Sequence, residues 1–143
     1  MVMARTNPYA QGGARGGNAY VRDSVETASP GRLLVMLYDR LALDLERAEH
    51  ACTSGDVQTA HDTLVHAQEI VNELHGSLDV EVWAPGRHLA ELYEFVGEQL
   101  CQANVSKDAA IVAECRRIIA PLHTAWREAA GVVEIPTVQR IGA

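Results

Sequence analysis

Aromatic side chains are scarce in this sequence, 5% of residues, although 48% are hydrophobic. The apolar mass is therefore mostly Leu, Val, Ile and Ala, a mixture that favours helix. Long apolar runs are missing as well: stretches such as Leu33–Leu37 fall far short of the roughly 20 residues of a membrane span, which argues against insertion into a bilayer. Clustered positive charge is absent. The formal net charge is -7 and the 12 Lys and Arg are scattered, whereas nucleic-acid binders gather basic residues on one face. Residues 1–18 carry no apolar segment behind a basic start, so no secretory leader is expected and the cytoplasm is the expected compartment.

The motifs of catalysis are equally thin. Carboxylate-bridged metal sites in helical bundles use Glu-x-x-His on facing helices, and this sequence has no Glu-x-x-His. The glycine cluster Gly12, Gly13, Gly16 and Gly17 lacks the flanking strand, helix and Lys of a phosphate loop. Ser29, Ser77 and Ser106 stand in capping or loop contexts with no local base. Only three cysteines occur. Cys52, Cys101 and Cys115 are far apart within apolar helical patterns and read as reduced core thiols. His50, His61, His66, His75, His88 and His123 read as solvated surface residues. These features predict a protein without enzymatic activity, metal or cofactor.

What the sequence does contain is helical periodicity. At 143 residues it is one domain. Residues 1–19 are predicted to be a flexible Gly-rich arm and residues 131–143, with Pro136 and Gly142, a disordered tail. Between them, residues 20–130 hold four amphipathic segments. The first begins with Ser29 as N-cap and Pro30 at the first helical position, places Leu34, Leu37, Leu41, Leu45 and Ala48 on one face, and stops at Gly55. The second follows Asp56, with Val57, Ala60, Leu64, Ala67, Val71, Leu74 and Leu78 inward.

After a break over 79–86, a third stripe runs through Leu89, Leu92, Val96, Leu100 and Ala103, with Asn104 placed to end it. Ser106 is the expected cap of the fourth, which turns Val112, Cys115, Ile119, Leu122 and Trp126 inward and which Pro121 should kink or divide. Short connections make the expected fold an all-α, antiparallel up-down four-helix bundle with a flexible N-terminal arm and C-terminal tail. Leu33, Met36, Leu43, Val65 and Ile70 lie off the inner stripes and widen the apolar faces. Such a surplus fits a broad core or a groove for a partner segment.

An ordered set of short motifs then resembles the FliS-type flagellar export chaperones. Thr27-Ala28-Ser29-Pro30-Gly31, Leu33 and Met36-Leu37-Tyr38-Asp39 open the first helix. Ala67-Gln68-Glu69-Ile70, Glu73-Leu74 and Ser77-Leu78-Asp79 follow on the second. Leu92-Tyr93, Leu100–Asn104 and Ala125-Trp126 complete a likeness over about 7–130. The resemblance implies a cytoplasmic bundle that binds the C-terminal segment of flagellin, prevents its premature polymerisation and aids delivery to the flagellar type III export apparatus, with other flagellar assembly or export proteins as further partners. By the same resemblance, Tyr9 and Tyr20 of the arm and Leu34, Tyr38, Ile70, Leu74, Leu78, Tyr93, Leu100 and Asn104 are candidates for the client groove or its support, with Trp126 in the core. Gln11–Asn18 looks like an insertion separating the two arm tyrosines. Arg40 and Trp83-Ala84-Pro85 depart from the family pattern. The competing reading is a self-associating helical adaptor without a flagellin client.

Overall fold

The computed structural model describes residues 29–79, 81 and 85–131. Each helix boundary follows from a local hydrogen-bonding choice. Helix α1 (Pro30–Ser54) starts where the Ser29 side chain accepts the Arg32 amide at 3.2 Å and Pro30 fills the first turn, which has no intrahelical use for an amide donor. It ends at Gly55, whose φ of 80° is left-handed and suits a residue without Cβ. Asp56 then accepts the Thr59 amide at 3.1 Å and opens α2 (Val57–Ser77). Those hydrogen bonds hold its carboxyl below the usual range.

Helix α3 (Gly86–Ser106) begins behind Pro85 without a side-chain cap. It runs past Asn104 to Ser106, and α4 (Ala109–Ala129) is capped by Asp108, which accepts the Ala110 amide at 2.9 Å. Ser106 is thus the last residue of α3, its hydroxyl donating to the Gln102 carbonyl, and not the expected cap of α4. The turn between them is set by Lys107 in the left-handed conformation (φ 53°), its ammonium donating to the Asn104 backbone and side-chain oxygens. Pro121 does not divide α4. It lies exposed inside one continuous helix, so the lost amide donor falls on the solvent side.

The four helices form the expected all-α bundle, and no strand occurs among the described residues. Helix α1 is the hub, packing along α4 on one side and α2 on the other; α2 packs on α3, and α3 meets α4 along the sparsest seam. The beginning of α1 lies against the end of α4, where a Cβ on Gly31 would sit 3.4 Å from that of Ala130. The core joins Leu34, Leu41 and Leu45 with Leu64, Val71 and Leu74, Val96 and Leu100, and Val112 and Ile119. Each such side chain contributes about 1.5–3 kcal/mol by leaving water. Val57 is a correction: placed inward by periodicity, it is 60% exposed, because the first turn of α2 extends beyond the end of the core. The arm at 1–19, the tail beyond Gly131 and Trp83-Ala84 lie outside the described residues.

All three cysteines are free, but only Cys115 is buried; Cys52 is half-buried and Cys101 exposed, so the core-thiol reading holds for one of them. Burial, with the charge of Glu114, raises the Cys115 thiol from the usual 9 to about 11. The sign of the linkage follows. The folded chain keeps a proton that the unfolded chain releases near pH 9, so this contribution is complete below pH 9 and is lost as pH rises toward 11. Denaturant unfolding at pH 8, 9.5 and 10.5 should show stability falling by up to about 1.4 kcal/mol per pH unit. Cys115→Ala should flatten that slope; an unchanged slope would remove the thiol as its cause.

Candidate functional site

Polar pairs close three of the four seams. Between α1 and α2, the Asp44 carboxylate, 1% exposed, accepts from His66 Nδ1 and, at 3.3 Å, from Arg40 Nε. Between α2 and α3, His75 Nε2 meets Glu94 at 3.1 Å and His61 Nδ1 meets the Asn104 amide at 3.1 Å. Between α1 and α4, Asp39 receives His123 Nε2 at 2.5 Å and Arg127 at 3.4 Å, while Arg116 pairs with Glu49 at 3.2 Å. Four histidines read from sequence as solvated thus bridge helices. A position on the flank of an apolar stripe stays near solvent and still reaches across to the neighbouring helix.

The α3–α4 seam is built differently. On α3 the residues that meet α2, Glu94 and Asn104, mark one edge, and at 100° per residue Leu92, Phe95 and Gln99 lie on the other. On α4 the residues that meet α1, Arg116, His123 and Arg127, mark one edge and leave Ile111, Ile118 and Leu122 on the other. Leu92, Ile111, Ile118 and Leu122 are only partly buried against the core, and Phe95 is 47% exposed. The sparsest seam is also an apolar one. Groups of this kind fit hydrophobic capture of a segment; among the described residues no three His, Cys, Asp or Glu cluster in a way that would hold a metal ion.

Most of the residues singled out from sequence lie deeper. Leu34, Tyr38, Ile70, Leu74, Tyr93 and Leu100 are buried in the core that underlies the helical faces, and so fit support for a groove better than its lining. Leu78 is partly buried at the end of α2, and Asn104 stays accessible while bonded to His61 and Lys107. Tyr9 and Tyr20 lie outside the described residues. Of the off-stripe residues, Met36 is 49% exposed, Ile70 buried, and Leu33, Leu43 and Val65 are half-buried. Phe95 and Leu122 were not singled out for the site. An aromatic residue on the rim of a helical stripe was the available signal.

The two tyrosines carry a further feature. Their hydroxyls share a 2.7 Å hydrogen bond across the buried centre, joining α1 to α3. His123 and Trp126 tilt against the Tyr38 ring at centroid distances of 6.0 and 6.4 Å. Burial raises the Tyr38 hydroxyl pKa, opposed by its hydrogen bond to Tyr93 and, more weakly, by the Trp126 side chain beside it.

The family model described as flagellar protein FliS matches residues 13–133, which covers all four helices. The chain belongs to the FliS family. Its similarity extends over nearly whole proteins. It is 30% identical over 127 residues to the flagellar secretion chaperone FliS of Bacillus subtilis, with 89% of each chain covered. It is 34% identical over 121 residues to the Salmonella typhimurium protein of the same name, covering 80% of this chain and 90% of the relative. FliS is a chaperone family and not an enzyme family, which supports a chaperone role in flagellar export. No helix among the described residues is long and apolar enough to cross a membrane.

Within this FliS-family bundle the tyrosine pair is a stability element with a testable signature. Tyr93→Phe should cost about 1 kcal/mol by leaving the Tyr38 hydroxyl short of a partner. Adding Tyr38→Phe should cost little more, because both ends of the bond are then gone. Thermal unfolding of the two single variants and the double variant checks this; additive losses would mean that the hydroxyls act independently.

Proposed function

We propose that this chain is a cytoplasmic export chaperone that binds the C-terminal segment of flagellin, prevents its premature polymerisation and aids its delivery to the flagellar type III export apparatus. The observation that carries this reading is the FliS match across residues 13–133. The partly uncovered apolar seam of α3 and α4 supports it, because a segment that is disordered alone can bury its apolar side chains there. The ordering cost of such a segment, about 2–5 kcal/mol, keeps the complex reversible, as a delivery role requires. In this reading Leu34, Tyr38, Ile70, Leu74, Tyr93 and Leu100 are the core that supports the client-binding faces, and Leu78 and Asn104 on the α2 side, together with Tyr9 and Tyr20, are further client-contact candidates.

Calorimetric titration with the C-terminal flagellin peptide of the same organism, beside an N-terminal peptide, tests the reading. Saturable 1:1 binding of the C-terminal peptide alone, with a negative heat-capacity change, is the expected result. Failure of a folded chain to bind it would overturn the client assignment, and a constant dimer in size-exclusion chromatography would then favour the self-associating adaptor.

A further inference from the structure

We propose that the α3–α4 seam selects a partner helix whose apolar stripe is bordered by Lys and Arg; this deepens the client-binding reading and rests on it. The apolar part of the site is Leu92 and Phe95 on α3 together with Ile111, Ile118 and Leu122 on α4. Leu92 and Phe95 lie one turn apart on α3, and Ile111, Ile118 and Leu122 span about three turns of α4, roughly 16 Å, a length that seats several turns of a helix laid lengthwise.

Charge decides which helix. Helices α2 and α3 carry Asp62, Glu69, Glu73, Glu91, Glu94 and Glu98 against Arg87 alone. Helices α1 and α4 are balanced, with Arg32, Arg40, Arg47, Arg116, Arg117 and Arg127 against Asp39, Asp44, Glu46, Glu49, Glu114 and Glu128. The negative charge of the folded bundle is therefore concentrated on its α2–α3 side. Beside the seam it is borne by Glu91 and Glu98, both exposed on the outer face of α3, one turn before and one turn after Phe95 and within about 60° of it around the helix. Glu94 is turned to His75 and Glu114 to Arg117, so the rim facing an incoming segment is set mainly by Glu91 and Glu98. A helix with Glu or Asp beside its apolar stripe meets like charge there, and a cationic one is drawn in. A second copy of this chain is a poorer occupant, because none of its described helices carries a marked excess of Lys and Arg to meet the acidic side chains.

The test uses the full chain and two synthetic 18-residue helices with one Leu stripe, flanked by Lys in one and by Glu in the other. At low salt the Lys peptide should bind at least about tenfold more tightly, the gap narrowing at 0.5 M salt. Glu91→Lys with Glu98→Lys should weaken the Lys peptide about fivefold or more, and Phe95→Ala should weaken it at both salt concentrations. All three positions are solvent-facing, so circular dichroism should report unchanged folding. Equal binding of the two peptides, indifference to the charge reversal, or no binding of the Lys peptide would overturn the proposal. The two readings fail separately. Flagellin peptide bound undiminished by the Glu91, Glu98 and Phe95 variants removes this seam and spares the client; Lys peptide bound without flagellin peptide removes the client and spares the seam.

Discussion

Leu74→Asp is expected to unfold the bundle and not merely to weaken binding. Leu74 is fully buried on α2, within the cluster shared by all four helices. A carboxylate there either remains charged, at several kcal/mol, or takes up a proton and still lacks hydrogen-bond partners. The shorter side chain also leaves space that the neighbouring Leu, Val and Tyr side chains fill only in part. The combined loss rivals the whole stability of a typical domain, about 5–15 kcal/mol. Far-UV circular dichroism at 25 °C should show most of the helix signal gone, or a thermal midpoint lowered by more than about 15 °C. Leu74→Met, which keeps the volume, should cost below about 1.5 kcal/mol. A folded Leu74→Asp protein with a wild-type midpoint would place this residue outside the core.

The second large effect concerns the pair that joins α1 to α2. His66→Leu removes one of the two donors to Asp44 and leaves a buried carboxylate held by Arg40, whose own side chain is half exposed. Loss of about 2–3 kcal/mol is expected, a midpoint shift of roughly 10 °C. The informative comparison is the double variant. Asp44→Leu with His66→Leu takes the charge away altogether, and the apolar replacement should recover most of the loss. If the double variant were as unstable as His66→Leu alone, the buried carboxylate would not be the cause; if His66→Leu cost nothing, the bridge would carry no net stability.

The frame of this bundle was legible because its signals are local and redundant. Ser29-Pro30 and Gly55-Asp56 each carry the chemistry of a helix end, and the stripe from Ala60 to Leu74 has one consistent period. Where two local signals competed, the reading failed: Ser106, Lys107 and Asp108 lie side by side, and only the left-handed Lys107 decides that Asp108 caps. Pro121 does not divide α4, because its missing donor matters less on an outer face. The site was harder to read. Tyr38 and Tyr93 have the amphipathic character of interface residues, yet each supplies the other's hydrogen-bond partner and both are buried. The importance of Asp44 and His66 depends on a contact between two residues 22 apart in sequence and on different helices, which no periodicity within either helix reveals. Phe95 is a partner candidate only once α3 is known to lean on α2 and to leave its other edge against the sparse seam.

The packing of α1 against α4 also bears on how the chain is made. The hub helix finds its second neighbour in the last of the four described helices to be synthesised. A nascent chain that has completed α1, α2 and α3 can form the two seams between sequence neighbours, but Leu45, Tyr38 and Asp39 still lack their α4 partners. Closure comes at the end, across the longest intervening stretch of chain, and carries the corresponding loss of chain entropy. Until α4 leaves the ribosome, this protein presents an unfinished apolar edge of its own, so the growing chain passes through a stage in which it too has a surface to keep from aggregation.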